Sequence, residues 1–321
     1  MRILILTQWF HPEPNFKGLP FAVELQRRGH EVEVLTGFPN YPDGKVYDGY
    51  SIRPWQREEV NGIRVNRVAL YPSHNSSGLS RIANYMSFSI MTMLIGPLLI
   101  RNKPDIIYVF NLVTLSRTAA IIRWLHGCKI VYDIQDLWPE SVVSSGMLPM
   151  GRVLNNFFKN WCNNSYQRSD FITVLSPGFQ KELVTRGVAE NKIEVIYNWT
   201  EENIENYDQP DNNLLQIMRP IEHQHRFNVT FAGNMGKVQG LKTVLEAAEL
   251  LLTEDNRVHF YFIGAGAEKQ NLKEKSRELG LSNVTFVPNQ PRNSMGTLFQ
   301  NSDVLLVHLK KDPLFKITIP S

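Results

Sequence analysis

The chain has 321 residues, of which 43% are hydrophobic and 20% charged, and its formal net charge is +3. That length exceeds one average domain, and the composition is that of a globular protein that buries large cores without disulfides or structural metals. A charge this small, with no RNA- or DNA-binding motif, argues against a nucleic-acid-binding protein.

The start of the chain, "MRILILTQWF", does not have the pattern of a secretory signal peptide. Its apolar run is very short, and no small-residue cleavage site precedes the polar segment that follows. The two cysteines, Cys128 and Cys162, have no CxxC or CxxH spacing and are expected to be reduced thiols. Both observations predict a cytosolic protein.

The first 199 residues alternate strand-like and helix-like patterns. "RILILT" is an apolar run of strand length, "LPFAVELQRRGH" has helical spacing up to Gly29, and "EVEVLTGF" alternates with period two. This order predicts a parallel βαβ unit. The pattern continues with strands at 104–111, 129–136, 171–176 and 192–198, and with helices at 113–127 and 177–187.

One apolar stretch, residues 86–100, is not typical of a soluble sheet protein. It is shorter than the roughly 20 residues that span a bilayer, and Gly96 and Pro97 interrupt it. Two interpretations stay open and are compatible. The stretch is a helix packed on the sheet, or a helix lying at a membrane surface with Arg81, Arg101 and Lys103 near the headgroups.

The alternation stops in the polar segment 200–226, which is interpreted as a linker with some irregular or helical structure. It then restarts with strands at 228–234, 258–266, 283–289 and 303–309, and with helices at 241–252, 267–280 and 295–302. We therefore expect an α/β protein with a Rossmann-like domain over 1–199 and a second one over 227–321. An open sheet of this class usually has five or six strands, so the second domain is expected to be incomplete.

The loop after the first strand, "HPEPNFKG", is a candidate binding site. Ligands of open parallel sheets lie beyond the carboxyl ends of the strands, and a glycine before a helix offers backbone N–H groups to phosphate. Gly18 meets that description without forming a dinucleotide fingerprint, and a plain turn is the alternative. His11 and Glu13 are candidates for contacting a hydroxyl-rich ligand or for capping the loop, and Lys17 adds a positive charge.

Three carboxylates, Asp133, Asp136 and Glu140, follow the strand at 129–136. A carboxylate at a strand's carboxyl end can orient a sugar hydroxyl, act as a base or hold a metal. Metal binding is the weakest of these hypotheses because no DxD pair is present. Helix capping by Asp136 is the structural alternative.

The second half contains two glycine-rich turns between a strand and a helix, "FAGNMGKVQGLKT" and "FIGAGAEKQNL". Backbone amides beside Lys237 and Lys242 suit a diphosphate. Glu268 suits the helix dipole or the hydroxyls of a ribose. No GxSxG, HExxH, Walker A or kinase motif occurs, which argues against those hydrolases and phosphotransferases.

Five segments together resemble the retaining GT-B-fold glycosyltransferases of family 4 type, in order and spacing. They are the stretch 2–42, "VYDIQDLWPES", "VLSPG", "YNW" and "FAGNMGKVQGL". More narrowly, the chain is similar to bacterial surface-polysaccharide enzymes that add a deoxy-amino sugar such as N-acetyl-L-fucosamine to a lipid-linked acceptor. The resemblance implies two Rossmann-like domains facing a cleft.

The resemblance also implies roles for individual residues. Asp136 is the catalytic candidate near the anomeric centre, and His11, Glu13 and Lys17 are on the acceptor side. The implied donor-binding residues are Gly18, Asn234, Lys237, Lys242, Gly264, Gly266 and Glu268. The family commonly has Arg and Lys where this chain has Asn234 and Gln239, so the diphosphate clamp is expected to have moved to Lys237.

The expected function is therefore transfer of a sugar from a UDP-type donor, with retention and without a metal or other cofactor. The expected acceptor is a lipid-linked saccharide, as in O-antigen or capsule synthesis, with the protein attached peripherally to the cytosolic face of the bacterial cytoplasmic membrane. Two alternatives stay open: a nucleotide-sugar 2-epimerase of the same fold, and a truncated, inactive binding protein. The oligomeric state is not predicted.

Overall fold

The computed structural model describes residues 1–15, 17–73, 78–144, 151–199, 211–220, 225–291 and 294–320. The chain divides into two compact units. The first contains Met1–Tyr197 together with Ile317–Ile319, and the second is built mainly from Asn198–Lys316.

The first unit is a strand-rich α/β structure. Its strands are β1 (Arg2–Leu6), β2 (Glu31–Gly37), β3 (Trp55–Val60), β4 (Ile63–Val68), β5 (Ile106–Phe110), β6 (Lys129–Ile134), β7 (Phe171–Val174) and β8 (Ile193–Val195). Its helices are α1 (Leu19–Arg27), α2 (Gly78–Leu99), α3 (Ser116–His126), α4 (Glu140–Ser144), α5 (Arg152–Arg168) and α6 (Pro177–Thr185).

These strands form one sheet in the order β3-β4-β2-β1-β5-β6-β7-β8. All neighbouring pairs are parallel except β3 with β4. The central strands are nearly continuous apolar runs because both faces of a parallel sheet are covered. Ile5, Val34 and Val65 are fully buried in one cluster with residues of α1 packed against it.

The antiparallel hairpin β3–β4 was not predicted from the sequence. Its turn is Asn61-Gly62, and both residues have positive φ angles, 51° and 76°. Asn-Gly is the strongest short signal for a two-residue hairpin because both residues tolerate this conformation. The sequence therefore contained a hairpin signal. It was missed because β3, with the sequence WQREEV, has too few apolar residues to be recognised as a strand.

Helix α2 covers the apolar stretch and begins eight residues earlier than the run at 86–100. One side is packed, with Phe88, Thr92 and Gly96 buried. The other side leaves Ile90, Leu94 and Leu98 exposed at 46%, 61% and 79%. By length and hydropathy α2 could cross a bilayer, yet it is also in part a packed helix of the unit. Both interpretations of the sequence thus have a structural counterpart.

The second unit has a smaller parallel sheet in the order β11-β10-β9-β12. Its strands are β9 (Phe227–Ala232), β10 (Val258–Ile263), β11 (Val284–Val287) and β12 (Val304–Leu305). Its helices are α7 (Asn212–Met218), α8 (Lys242–Glu254), α9 (Lys269–Glu278) and α10 (Met295–Gln300).

Helix α7 lies within the segment 200–226, which was predicted as a linker with some irregular or helical structure. Leu214 and Met218 are buried against Tyr261, Ile263 and other core residues of the second unit. The side chain of Asp211 caps the helix by accepting from the amides of Asn213 and Leu214. Residues 212–218 therefore belong to the second unit, whereas 200–210 and 221–224 lie outside the described residues.

Candidate active site

The first unit has a topological switch point between β1 and β5. From β1 the chain first adds β2 on one side and later adds β5 and β6 on the other. The loops after these parallel strands leave from one edge of the sheet, where ligands of open α/β sheets bind. The described residues of the predicted loop, 11–15 and 17–18, and Asp136 belong to this edge, which we call the carboxyl edge.

Glu13 joins the loops that follow β1 and β2. Its carboxylate accepts hydrogen bonds from the amides of Phe10, Asn40 and Tyr41 at 3.1, 2.8 and 2.8 Å. The residue is only 4% exposed, and burial raises its pKa to about 7, opposed by these amides and by Arg67. Glu13 therefore holds two loops together, which agrees with the capping role left open by the sequence and not with a contact to the acceptor.

Lys17 is buried in a second connection. Its Nζ lies 2.5 Å from Oδ2 of Asp133 at the end of β6, and both side chains are nearly inaccessible. Tyr108 and Gln135 also donate to the Asp133 carboxylate, so the buried charge is well satisfied. Lys17 holds the β1 loop to β6 and does not face solvent, contrary to the expectation of an acceptor contact.

The other two residues of this loop differ in their surroundings. The Gly18 amide donates to the Asn15 carbonyl at 3.0 Å, and a Cβ at Gly18 would lie 2.9 Å from that oxygen. A tight turn, the alternative that the sequence left open, accounts for this glycine, and its predicted contact with a donor phosphate stays untested. His11 is exposed, and among the described residues Arg67 engages its backbone carbonyl alone. Its predicted role stays untested.

The three carboxylates after β6 have three different environments. Asp133 is the buried partner of Lys17, and Glu140 pairs with Arg186 at 3.0 Å. Asp136 is solvent-exposed, and within the described residues its carboxylate accepts from Asn111 Nδ2 alone, at 3.2 Å. It does not cap α4. Asp136 is therefore the carboxylate of this segment that is available to a ligand.

Protein around the Asp136 carboxyl raises its pKa by desolvation, and the hydrogen bond from Asn111 acts in the opposite direction. Because the carboxyl is solvent-accessible, water limits this rise. Asn111 itself has a left-handed backbone, with φ 65°, directly after β5. Such a conformation is uncommon for a residue other than glycine and is concentrated at functional sites. The sequence analysis did not identify Asn111.

Aromatic rings lie beside these polar groups. Trp9 follows β1, Tyr41 follows β2, Tyr85 lies on α2 and Trp138 follows β6. Successive ring centroids are 6.1 Å apart from Tyr41 to Trp9, 5.9 Å from Trp9 to Tyr85, and 6.3 Å from Tyr85 to Trp138. We call these four residues the aromatic row.

In the second unit, the two glycine-rich loops pack directly on each other. The Met235 amide donates to the Ala265 carbonyl at 2.7 Å, and the Glu268 amide donates to the Met235 carbonyl at 2.9 Å. A Cβ at Gly264 would lie 2.1 Å from the Gly233 carbonyl oxygen, and one at Gly266 would lie 2.4 Å from the Met235 oxygen. Close backbone packing therefore requires glycine at both positions, and their predicted contact with the donor stays untested.

The side chains predicted to bind the donor surround this pair of loops. Lys237 and Lys242 are exposed, and neither forms an ion pair with a described residue. Asn234 is exposed, and Glu268 is half-buried at the start of α9. Gln239, where the family commonly has a lysine, instead uses Oε1 to accept from the Gly236 amide at 3.1 Å. The two lysines are thus the available cations of these loops.

No three metal-ligating His, Cys, Asp or Glu side chains come together in the part of the chain that the structure describes. Metal independence itself stays a prediction.

Two family models match successive parts of the chain and together cover most of its length. The glycosyl transferase 4-like domain matches residues 19–199, and the glycosyl transferases group 1 family matches residues 217–314. A protein of Escherichia coli K12, the putative colanic acid biosynthesis glycosyl transferase WcaI, is 27% identical over 324 residues. That alignment covers 97% of this chain and 77% of the relative.

Solved structures are similar in fold. A trehalose-6-phosphate protein from E. coli, bound with UDP-2-fluoro glucose, has a TM-score of 0.69 at 14% identity, with 97% of this chain and 79% of that chain covered. Anabaena HepE in complex with UDP has a TM-score of 0.59 at 16% identity, with 95% and 73% covered. The predicted α/β class with two Rossmann-like parallel-sheet domains is confirmed.

Proposed function

Because the chain belongs to the glycosyl transferase 4-like family, we propose that it transfers a sugar from a UDP-linked donor to a lipid-linked saccharide in bacterial surface-polysaccharide synthesis. The proposed sugar is a deoxy-amino sugar such as N-acetyl-L-fucosamine. The E. coli relative, by its name, acts in colanic acid biosynthesis, and Anabaena HepE was solved with UDP. Both support the proposal.

The observation that carries the proposal is the pair of interlocked glycine loops at the carboxyl ends of β9 and β10. Backbone amides and two exposed lysines in one place favour a diphosphate, because charge-assisted hydrogen bonds are the strong ones. The fixed loops hold these groups where negative charge grows on the leaving UDP.

In the proposed reaction, the bond between the anomeric carbon and the β-phosphate oxygen breaks. A bond to the acceptor hydroxyl forms on the same face of the sugar, which retains the configuration. The hydroxyl proton passes to the departing phosphate oxygen. In this scheme Lys237 and Lys242 are assigned to the charge on the diphosphate, and Asp136 is assigned a role in the chemistry at the sugar. No metal takes part in this scheme, so a chelator should leave turnover unchanged.

Calorimetric titration with UDP tests the donor site. Lys237→Ala should weaken binding by about 1.5–3 kcal/mol, the scale of one charged hydrogen bond. Lys273→Ala on α9 is the matched control, because it removes the same charge outside the two loops. Equal affinity of both variants and the wild type would exclude Lys237 from the clamp.

Transfer from a UDP-sugar to a synthetic saccharide on a lipid diphosphate tests the reaction, with the anomer of the product read by NMR. An inverted product contradicts retention. Epimerisation of the donor at C2 without transfer would replace the proposal with the epimerase alternative.

We further propose peripheral attachment to the cytosolic face of the bacterial cytoplasmic membrane. Exposed Leu94 and Leu98 on α2 and Trp124 on α3, which is 82% exposed, support it. Charge also supports it, since α3 and α5 contain five Arg or Lys residues and no Asp or Glu. Basic residues near an anionic surface contribute about 1 kcal/mol each.

Flotation with vesicles of phosphatidylglycerol and phosphatidylethanolamine tests this attachment. The double change of Leu94 and Leu98 to Ser should shift the protein to the unbound fraction while circular dichroism stays unchanged, because both side chains are exposed. Leu250→Ser on α8 is the control, since Leu250 is 66% exposed in the second unit. A folded double variant that floats like the wild type would contradict attachment through α2.

A further inference from the structure

The carboxyl edge holds a cation that no described residue neutralises. Arg81 lies in the first turns of α2, and its Nε is buried without a hydrogen-bond partner in the described part of the chain. Ion pairs engage Arg67 and Arg186 elsewhere in the unit, whereas no described carboxylate lies within ion-pair distance of Arg81. An arginine in this state favours an anionic ligand, because a buried donor left unpaired is costly.

Tyr85 connects this cation to the predicted catalytic residue. It is only 8% exposed, and no described residue hydrogen-bonds its hydroxyl. Burial raises the pKa of Tyr85 to about 12, while the charge of Arg81 lowers it and that of Asp136 raises it. Both charges are therefore within electrostatic range of the Tyr85 hydroxyl.

The aromatic row supplies the third part of the arrangement. Trp9 and Trp138, on either side of Tyr85, are half-buried and keep part of their surface accessible. The face of an aromatic ring carries negative charge, so it attracts the C–H groups on the face of a sugar ring. Trp9 is also held in place, since its carbonyl accepts from Asn15 and its amide donates to Thr7.

We infer that Arg81, Tyr85 and the tryptophans of the aromatic row form an acceptor subsite for a saccharide carrying a phosphate at its reducing end. In this subsite the guanidinium binds the phosphate, the rings of Trp9 and Trp138 stack on the sugar, and Asp136 lies near the hydroxyl that is glycosylated. The inference rests on the proposed function. It assigns acceptor recognition to residues other than Glu13 and Lys17, which are buried in the loops.

The test is calorimetric titration with glucose 1-phosphate, glucose and inorganic phosphate, each in the presence of saturating UDP to occupy the donor loops. The wild type should bind glucose 1-phosphate more tightly than either component. Arg81→Met should weaken that binding about tenfold or more, the effect of one charge-assisted hydrogen bond, and leave the affinity for glucose unchanged. Trp138→Leu should weaken the binding of both sugar-containing probes.

Matched controls come from the edge of the same sheet, at and directly before β3. Arg53→Met removes an exposed arginine of the same unit, and Trp55→Leu removes an exposed tryptophan; both should bind like the wild type. If Arg81→Met binds glucose 1-phosphate with the affinity of the wild type, the inference is overturned. It is also overturned if neither protein binds glucose 1-phosphate. Equal losses in both arginine variants would also overturn it, since general electrostatics would then suffice.

The UDP affinity of each variant separates this inference from the proposed function. A wild type that does not bind UDP contradicts the proposed function. Normal UDP affinity, with no effect of Arg81→Met on glucose 1-phosphate, contradicts the acceptor subsite alone.

Discussion

The raised pKa of Glu13 gives a prediction about stability and pH. In the unfolded chain this carboxyl titrates near 4.5, and in the folded protein near 7. A folded-state pKa above the unfolded value means that the folded state binds the proton more tightly. The associated stabilisation is fully present below pH 4.5 and is lost as the pH rises through about 7.

The size of the effect follows from linkage. Between about pH 5.5 and about pH 8, these two pKa values change the free energy of unfolding by about 2 kcal/mol, with the protein less stable at the higher pH. Glu13→Gln removes the titration. The glutamine Nε2 that replaces Oε2 cannot accept the hydrogen bond from the Phe10 amide. That loss costs the same at every pH, so the change of stability with pH still reports the titration of Glu13.

Urea unfolding of wild type and Glu13→Gln across this pH range measures the difference. The stability of the wild type relative to the variant should fall by about 2 kcal/mol from the low to the high end. A difference that stays constant would refute a raised pKa. A pKa lowered by the three backbone N–H donors would also give a constant difference, because the carboxyl would then be ionised in both states throughout this range.

Two further predictions concern the carboxyl edge and the glycine loops of the second unit. Asp136→Asn should leave UDP affinity unchanged and lower turnover about a hundredfold or more, because the role proposed for the carboxylate is in the transition state; retained turnover in a transfer assay would remove it from the chemistry. Gly266→Ala should destabilise the second unit by at least about 2 kcal/mol, because its Cβ would lie within 2.6 Å of Met235 backbone atoms. Chemical denaturation measures this loss. Gly280→Ala is the control, since it has a positive φ but open space around it, and it should cost about 1 kcal/mol; equal effects would contradict the packing argument.

The alternation of strands and helices was predictable because parallel sheets impose long apolar runs followed by amphipathic helices. The sequence patterns at 104–111 and 129–136 correspond to β5 and β6. Helix α5 was missed because its sequence, "RVLNNFFKNWCNNSYQR", is rich in Asn and aromatic residues with modest helix propensity. Tertiary packing, with Cys162 and Tyr166 buried, decides its conformation.

The sequence predicted which loops form the candidate site, but it predicted the roles of individual residues less well. Lys17 and Glu13 are in the expected loop, but charged residues are rarely fully buried, so the sequence favoured an exposed role. Only the fold brings Asp133 beside Lys17, across 116 positions. The sequence assigned Arg81 only to membrane headgroups, and it did not identify Tyr85, because both precede a long apolar run on the same helix. Asn111 directly after a strand was a usable signal, since Asn tolerates the left-handed conformation.

The direct packing of the two glycine loops in the second unit has a consequence for engineering. Loops whose backbones are already fixed by each other lose little conformational freedom when a ligand binds, so affinity depends on the side chains that project from them. Donor preference should therefore respond to changes at exposed positions such as 234, 237 and 242 without redesign of the backbone. The same rigidity makes positions 264 and 266 poor choices for a randomised library.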